Sequence, residues 1–287
     1  MLRIWGICRW ILSGRWVDSM STVDGRGPLR DVWNHRALLG RMVKRDVRGR
    51  YQGSIFGTLW SFATPLLLLC AYWFFLGVVL QARFGATPQV AFPVVLFSGL
   101  ITHLFFAEVL GRASGLIFEH ATYVKKVVFP LTVLPWMTLA TAAFHLCVNL
   151  SILLIGQFLI VGSIPPTWPL IFLVMLPALP LLLGLSWMLS AFAVFLRDIQ
   201  QIVPLILTLM MFASPIFFPM EMVPEQYRPF LVLNPTTVII QQVRAVAIHG
   251  ELPDFQALGI YSIVALVVMS LGYWVFVRTR KGFADVL

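Results

Sequence analysis

Long uncharged apolar stretches constrain the fold of this chain more than any other feature of its sequence. A helix needs about 20 apolar residues to cross the hydrocarbon core of a bilayer. Six stretches approach or exceed that length, at roughly 59–80, 90–110, 134–161, 169–196, 199–219 and 257–277. Only 11% of the 287 residues are charged, against about a quarter in soluble domains. The sequence therefore predicts an all-α, multi-pass membrane protein with six transmembrane helices.

The distribution of Lys and Arg predicts which side of the membrane each end of the chain occupies. Short cytoplasmic loops carry an excess of these residues. With a cytoplasmic N-terminus, only Arg83, Arg228 and Arg244 of the 21 Lys and Arg residues fall outside. We therefore expect both ends in the cytoplasm. We expect no nucleic-acid partner despite the pI near 10, because the cations follow the membrane boundaries instead of forming a basic domain.

The segment 30–58 predicts an amphipathic helix in the cytoplasmic membrane interface, with its cations near anionic headgroups. One side of this helix carries Arg30, Arg41, Lys44, Arg45 and Arg48, and the other carries Trp33, Leu39, Val43, Val47 and Tyr51. Arg36 and Arg50 fall on the apolar side. An ordinary solvated helix is the alternative. The neighbouring regions are predicted as a cytoplasmic leader (1–29), the transmembrane domain (59–280) and a cytoplasmic tail (281–287).

Three glycines recur every four residues where this helix meets the first span. They are Gly49, Gly53 and Gly57, and Trp60 follows them. Such a spacing permits the close approach of another helix or a bend just before the bilayer. Trp60 is then expected at the level of the headgroups.

The connection between the fifth and sixth predicted spans, residues 220–255, combines four prolines with an apolar run too short to cross a bilayer. That combination predicts a re-entrant or surface-lying pair of helices on the external side. A soluble external loop is the alternative.

Motifs for catalysis, nucleotide binding and metal binding are missing from the sequence. It has no G-x-x-x-x-G-K-[ST] phosphate loop, no H-E-x-x-H and no clustered Cys and His. Of the polar residues at membrane depth, we expect Glu108 either to extend its carboxylate to the membrane interface or to pair with Arg112, one turn on. His145 and Asn149, four residues apart, are expected to bond to other helices. No acid pair or His–acid pair is visible at a span end, so we do not expect an enzyme.

Four stretches resemble the permease subunit of ABC-type polysaccharide exporters, and most of all the lipopolysaccharide O-antigen type. They are RDVRGRYQGSIFGTLWSFATPLLLL (45–69), YVKKVVFPLTVLP (123–135), the segment from FLRDIQQ to IIQQVR (195–244) and KGFADVL (281–287). The resemblance covers about residues 30–287, in the same order.

The resemblance implies six transmembrane helices, an interfacial helix first and short re-entrant helices before the last span. It implies a homodimer in the bacterial inner membrane, each copy paired with a separate ATPase that binds ATP and Mg²⁺. That partner would supply the missing phosphate loop, so no cofactor or metal is expected in this chain. The implied substrate is a lipid-linked polysaccharide, which passes from the cytoplasmic side through a channel between the two copies.

Candidate site residues follow from this resemblance together with side-chain chemistry. The stretch 111–126 would contain the helix that docks into the ATPase, with Glu119, His120 and Tyr123 as contacts. Guanidinium groups pair with phosphate oxygens. Arg45, Arg48 and Arg50 are therefore candidates for the lipid phosphate, with anchoring to bulk anionic membrane lipids as the alternative. Because aromatic faces stack on sugar rings, the candidate glycan channel comprises Trp60, Tyr72, Trp73, Phe212 and Phe217. Packing against lipid is the alternative for each.

Two other functions stay open from sequence. An ABC-type exporter could carry capsular polysaccharide, teichoic acid, a small lipid or a drug. A membrane-embedded glycosyltransferase or acyltransferase is the alternative of a different class.

Overall fold

The computed structural model describes residues 27–54, 56–79, 92–124 and 129–286. Every regular element within these ranges is helical. Most of the predicted leader, residues 1–26, lies outside the described ranges, as do Lys125 and Lys126 of the predicted docking stretch.

The predicted amphipathic segment forms two helices, α1 (Pro28–Asn34) and α2 (Arg36–Tyr51). The break falls at His35, where the imidazole Nδ1 lies 2.8 Å from the backbone oxygen of Asp31. The α2 helix ends at Tyr51, and a turn leads into α3 (Trp60–Tyr72), which continues as a π-helical segment, Trp73–Val79.

Within the described residues, four helices are long and apolar enough to cross a membrane: Phe92–Ala113, Leu131–Val161, Trp168–Phe195 and Phe255–Gly282. The first is α4 (Phe92–Ala113), and two short helices follow it, α5 (Leu116–Glu119) and α6 (Ala121–Val124). The second contains α7 (Leu134–Val161), the third α8 (Ile171–Met175) and α9 (Ala178–Phe195), and the fourth α13 (Phe255–Thr279). The chain is therefore a multi-pass membrane protein.

The other two predicted spans are shorter helices. The apolar helix at the first span covers Trp60–Phe75, and α10 (Ile199–Phe212) covers the fifth. Neither reaches the length of the four long helices, so the count of six spans stays a prediction.

The prolines act in different ways in the long helices. Pro135 lies in the first turn of α7, where a missing N–H costs nothing. Pro177 lies between α8 and α9, because a proline cannot continue the hydrogen-bond pattern of the helix before it. The helix of the fourth predicted span is therefore interrupted at Pro177, and the proline of the third lies at the start of α7.

The connection 220–255 contains a sharply bent helical pair, α11 (Arg228–Val232) and α12 (Pro235–Arg244). The bend between the helices that contain them is 102°, as in a broken span or a re-entrant loop. Asn234 caps α12 by accepting from the Thr236 N–H and donates to the backbone oxygens of Met210 and Ala213. These bonds tie the bend to the end of α10.

The core surrounds α4, which packs against α7, α9, α10 and α12. Its side chains at Phe97, Ile101 and Phe106 are completely or almost completely buried. On the far side of α9, α13 crosses so closely that Gly184 faces Gly272. A Cβ on Gly184 would lie 2.5 Å from the backbone oxygen of Val268, so only glycine fits this crossing. The resulting bundle fixes α4 and α7, which α2 contacts.

Candidate functional site

Two reciprocal ion pairs join α2 to α4. Asp46 and Arg50 lie one turn apart on α2, and Glu108 and Arg112 lie one turn apart on α4. The Arg112 guanidinium donates to both Asp46 carboxylate oxygens, at 2.8 and 2.7 Å. Arg50 Nη1 lies 2.8 Å from Glu108 Oε1. Because each helix supplies one acid and one cation, the two pairs fix the register of α2 along α4. Glu108 thus pairs with Arg50, and the expected pair with Arg112 is wrong.

His145 of α7 joins this cluster. Its Nδ1 lies 2.8 and 3.0 Å from the two Glu108 oxygens, and its Nε2 lies 3.1 Å from the Tyr51 hydroxyl. An N–H at Nδ1 donating to Glu108 leaves Nε2 to accept from Tyr51. The interhelical bonds expected for His145 are present. Asn149, one turn on, has a buried Oδ1 that accepts no hydrogen bond from the described residues.

The pKa values on α2 agree with these bonds. Burial raises the pKa of the Asp46 carboxyl, but the hydrogen bonds and charge of Arg112 outweigh burial and hold it below its usual value of 3.8. Burial raises the pKa of the Tyr51 hydroxyl above 10.0. Asp46 is therefore ionised at neutral pH, and Tyr51 keeps the proton that it donates.

A cavity of about 740 Å³ lies between α2, α3, α4 and α7 beside the ion pairs. Arg50, Glu108, Arg112 and His145 line it on one side. The start of α3 supplies the other wall, with Trp60, Ser61 and Thr64. The cavity therefore combines two guanidinium groups, each already paired with a carboxylate, with an aromatic face and hydroxyl groups. Guanidinium groups bind phosphates, and aromatic faces bind sugars.

The loop after α4 is also tied to α2. Arg45 Nη1 donates to the Tyr123 hydroxyl at 2.9 Å, and its guanidinium carbon lies 5.9 Å from the ring centroid. Tyr123 stacks on both Phe129 and His120, with centroid distances of 4.5 and 5.9 Å. Glu119 is exposed. All three residues predicted to contact an ATPase thus lie in one loop, and Tyr123 also contacts α2.

The structure places the three arginines predicted to bind phosphate in three different environments. Arg45 contacts Tyr123, and Arg50 contacts Glu108 in the cavity. Arg48 is exposed and borders a separate groove between α2 and α7. Of the three, only Arg50 faces the cavity with Trp60.

The aromatic residues predicted for a glycan channel divide into two locations. The Tyr72 and Phe217 ring centroids lie 5.4 Å apart, and those of Phe212 and Phe217 lie 5.8 Å apart. Trp73 follows Tyr72 and is 44% exposed. Trp60 lies elsewhere, with its Nε1 donating to Ser54 Oγ at 2.8 Å. One aromatic cluster therefore connects the end of α3 to the end of α10, and Trp60 belongs to the cavity.

The predicted glycines lie at the turn between α2 and α3. Gly53 and Gly57 have φ values of +85° and +50°, a region that side chains with a Cβ rarely enter. Gly49 is helical, in the last turn of α2. A Cβ on any of the three would meet no atom within 4 Å. Within one chain these glycines therefore accompany a sharp turn and not a close helix contact.

Two features, one in the site and one elsewhere in the bundle, were missed from the sequence. Glu108 and His145 form a His–acid pair at the end of α4, so the expectation of no such pair is wrong; a separation of 37 residues hid it. Arg244 was counted as an external loop cation, yet it is 5% exposed. Its guanidinium donates to the backbone oxygens of Val95, Pro215 and Ile216. A lone cation within an apolar helical run was the available signal.

No group of three or more His, Cys, Asp or Glu residues in the described ranges could hold a metal ion.

Comparison with known proteins gives this architecture a class: the chain belongs to the ABC-2 type transporter family, whose model matches residues 37–248. It is 29% identical over 266 residues to an O-antigen export system permease protein, RfbA of Myxococcus xanthus, covering 90% of this chain and 98% of the relative. An RfbA protein of Klebsiella pneumoniae is 26% identical over 253 residues, covering 87% of this chain and 95% of the relative. The polysialic acid transport protein KpsM of Escherichia coli is 24% identical over 248 residues, covering 83% and 91%. The resemblance seen in the four sequence stretches is confirmed.

Proposed function

We propose that this chain is the membrane subunit of an ATP-driven exporter of lipid-linked polysaccharide of the O-antigen type. The substrate would move from the cytoplasmic side across the bacterial inner membrane, through a channel formed by two copies. The observation that carries the proposal is the similarity to an O-antigen export permease along 90% of this chain and 98% of that relative. ATP and Mg²⁺ would bind to a separate ATPase. Similarity to a polysialic acid transport protein keeps capsular polysaccharide as the second candidate cargo.

In this proposal the chain has six spans, with both ends in the cytoplasm and α2 in the cytoplasmic interface. The distribution of Lys and Arg supports this orientation. The first span would consist of α3 with the π-helical segment that follows, and the fifth would begin with α10. The sharp bend of 102° before α13 supports a re-entrant pair on the external side.

The contacts between α2, α4 and the loop 114–124 suggest a mechanism of coupling. An ATPase bound to Glu119 and His120 would move the loop, and Tyr123 would carry that movement to Arg45 on α2. The reciprocal ion pairs oblige α2 and α4 to move together. The turn at Gly53 and Gly57 then lets α3 change its angle to α2. Export would proceed by switching between two packed arrangements of these helices.

The cavity and the aromatic cluster suggest two successive binding sites for the substrate. Arg50 and Trp60 would meet the lipid phosphate and the first sugar in the cavity. A phosphate there would compete with Glu108 for Arg50, so its arrival would loosen one of the two ion pairs. The cluster of Tyr72, Phe212 and Phe217 would offer aromatic faces to the glycan further along.

The His–acid pair does not favour the enzyme alternative. Arg50 and His145 both hold Glu108, so its carboxylate oxygens are already engaged within the chain. Together with the family membership, this arrangement favours a transport subunit over a glycosyltransferase or acyltransferase.

The proposal is tested by deletion of the gene for this chain and complementation. Cells lacking the chain should retain lipid-linked O antigen on the cytoplasmic side, and wild type should restore surface O antigen only when its ATPase is present. Normal O antigen with loss of capsule would favour the second cargo. Normal export of both would contradict the proposal.

The docking site is tested by the change Glu119→Lys. Reversal of this exposed charge should abolish co-purification of the ATPase with the full chain. Glu225→Lys is the matched control, because its side chain is 91% exposed in the bent pair proposed to lie outside. Undiminished co-purification of the Glu119 variant would place the contact elsewhere, without touching the proposed cargo.

A further inference from the structure

An open groove of about 620 Å³ runs between α2 and α7. It lies next to the cavity described above and has no lining residue in common with it. The α7 wall consists of Ala140 and Phe144, and the Phe144 ring is 41% exposed. The groove is therefore a second and separate site on α2.

Two rows of α2 side chains give the groove an apolar floor and a basic rim. The floor is a half-buried row, Leu39, Val43 and Val47, which continues onto Phe144. The rim is an exposed row at a spacing of four residues, Arg36, Gly40, Lys44 and Arg48. No acidic residue borders the groove in the part of the chain that the structure describes. Positive charge on the rim is therefore not neutralised within the groove.

Gly40 keeps the rim open between its cations. A Cβ at this position would meet no atom within 4 Å. Because Gly40 has no side chain, a gap remains between Arg36 and Lys44. A hydrocarbon chain could enter the groove through this gap from the side.

We propose that this groove binds one anionic glycerophospholipid of the cytoplasmic leaflet. The phosphate would lie on Lys44 and Arg48, and one acyl chain would follow Leu39, Val43 and Phe144. Charge complementarity selects this occupant, because a basic rim beside an apolar floor matches an anionic headgroup on an acyl chain. The inference rests on the proposed position of α2 in the cytoplasmic interface. A bound lipid would set the distance between α2 and α7. The groove is next to the proposed coupling contacts of α2.

The test uses the full chain, purified and delipidated in detergent. Phosphatidylglycerol and phosphatidylcholine with identical acyl chains are titrated separately, and bound lipid is counted by native mass spectrometry. We expect one phosphatidylglycerol per chain, bound about tenfold or more tightly than phosphatidylcholine. Equal binding of the two lipids, or no retained lipid, would overturn the proposal.

Three variants locate the site. Lys44→Gln with Arg48→Gln should weaken phosphatidylglycerol binding by about thirtyfold, because each basic residue near an anionic group contributes about fivefold. Arg30→Gln with Arg41→Gln removes the same charge from exposed positions outside the groove and should change binding by less than about twofold. Gly40→Leu should weaken binding of both lipids by filling the gap. This change raises helix propensity, so it leaves α2 intact.

The remaining outcomes discriminate between explanations. Equal losses in both double variants would show general surface attraction, and an unaffected Gly40→Leu variant would place the lipid elsewhere. If the wild-type chain formed dimers without bound lipid and Gly40→Leu disrupted them, the groove would be an interface between two copies. Each result overturns the lipid site. Export in cells is measured separately, so wild type that binds lipid but exports nothing would overturn the proposed function alone.

Discussion

Asp46 and Arg112 form the bidentate pair between α2 and α4, and their side chains are only 21% and 19% exposed. The change Arg112→Ala leaves a half-buried carboxylate without its main partner. We expect a loss of about 2 kcal/mol in stability, less than for a fully buried pair, measured as a lower Tm of the full chain in detergent. Arg41→Ala is the control, because Arg41 is an exposed arginine on α2, the helix that carries Asp46. The double variant Asp46→Arg with Arg112→Asp should recover more than half of the loss, and no recovery would show that the charges are not coupled.

The same pair predicts a dependence of stability on pH. The pKa of Asp46 is lower in the folded chain than its usual value of 3.8. Its contribution to stability is therefore complete above the unfolded pKa, and it is lost as the pH falls through the folded pKa. Between pH 5 and the acid limit of the fold, Tm should fall less steeply for Asp46→Asn than for wild type. An equally steep fall of Tm with pH in Asp46→Asn and wild type would contradict this role of Asp46.

At the scale of elements, the crossing of α9 and α13 depends on two glycines that touch. A Cβ on Gly272 would overlap the backbone oxygen of Gly184 and lie 2.7 Å from its carbonyl carbon. The change Gly272→Ala therefore requires the helices to separate, and we expect a loss of about 3 kcal/mol or more. Gly259→Ala is the control in the same helix, since nothing lies within 4 Å of its Cβ position. Measured as Tm and protease resistance, the control should equal or exceed wild type; equal stability of both variants would contradict the close crossing.

Composition and periodicity predicted the elements well because each depends on local sequence. Apolar length located four long helices, and prolines with a short apolar run predicted the bent pair. The two faces of α2 came from a spacing of 3.6 residues. Arg36 and Arg50 were the two misfits on its apolar side. Glu108 pairs with Arg50 there, whereas Arg36 is exposed, with its guanidinium carbon 5.1 Å from the Trp33 ring centroid. Within the described residues, one of these two charged residues thus has a partner on a neighbouring helix and the other does not, a difference that spacing alone could not predict.

Contacts between distant residues could not be predicted in the same way. Asp46 and Arg112 are 66 residues apart, and Arg45 and Tyr123 are 78 apart. A single sequence does not show which distant residues pair, because many Lys and Arg residues could form an ion pair with the same carboxylate. The close crossing of α9 and α13 at Gly184 and Gly272 was not predicted either. In the sequence, a glycine at a helix contact cannot be told from any other glycine. The sequence thus predicted which residues belong to the site. Only the structure showed which of them line the cavity, which lie in the loop after α4 and which border the groove.

At the scale of the whole molecule, the proposed channel between two copies predicts which helices meet. Tyr72, Phe212 and Phe217 connect the ends of α3 and α10, and Phe212 is 60% exposed in a single chain. Such an aromatic face would adjoin the channel, whereas the exposed side of α13 would face lipid.

A crosslinking experiment distinguishes these two surfaces. With Cys8, Cys70 and Cys147 changed to Ser, Phe212→Cys should form dimers in membranes with a short or a long bismaleimide. The matched variant is Ile263→Cys on α13, where the native side chain is 66% exposed, and it should stay monomeric under the same conditions. Because both positions are apolar and exposed, random collisions would label both equally. Dimers through Ile263 alone would move the interface to α13 and remove the aromatic cluster from the channel.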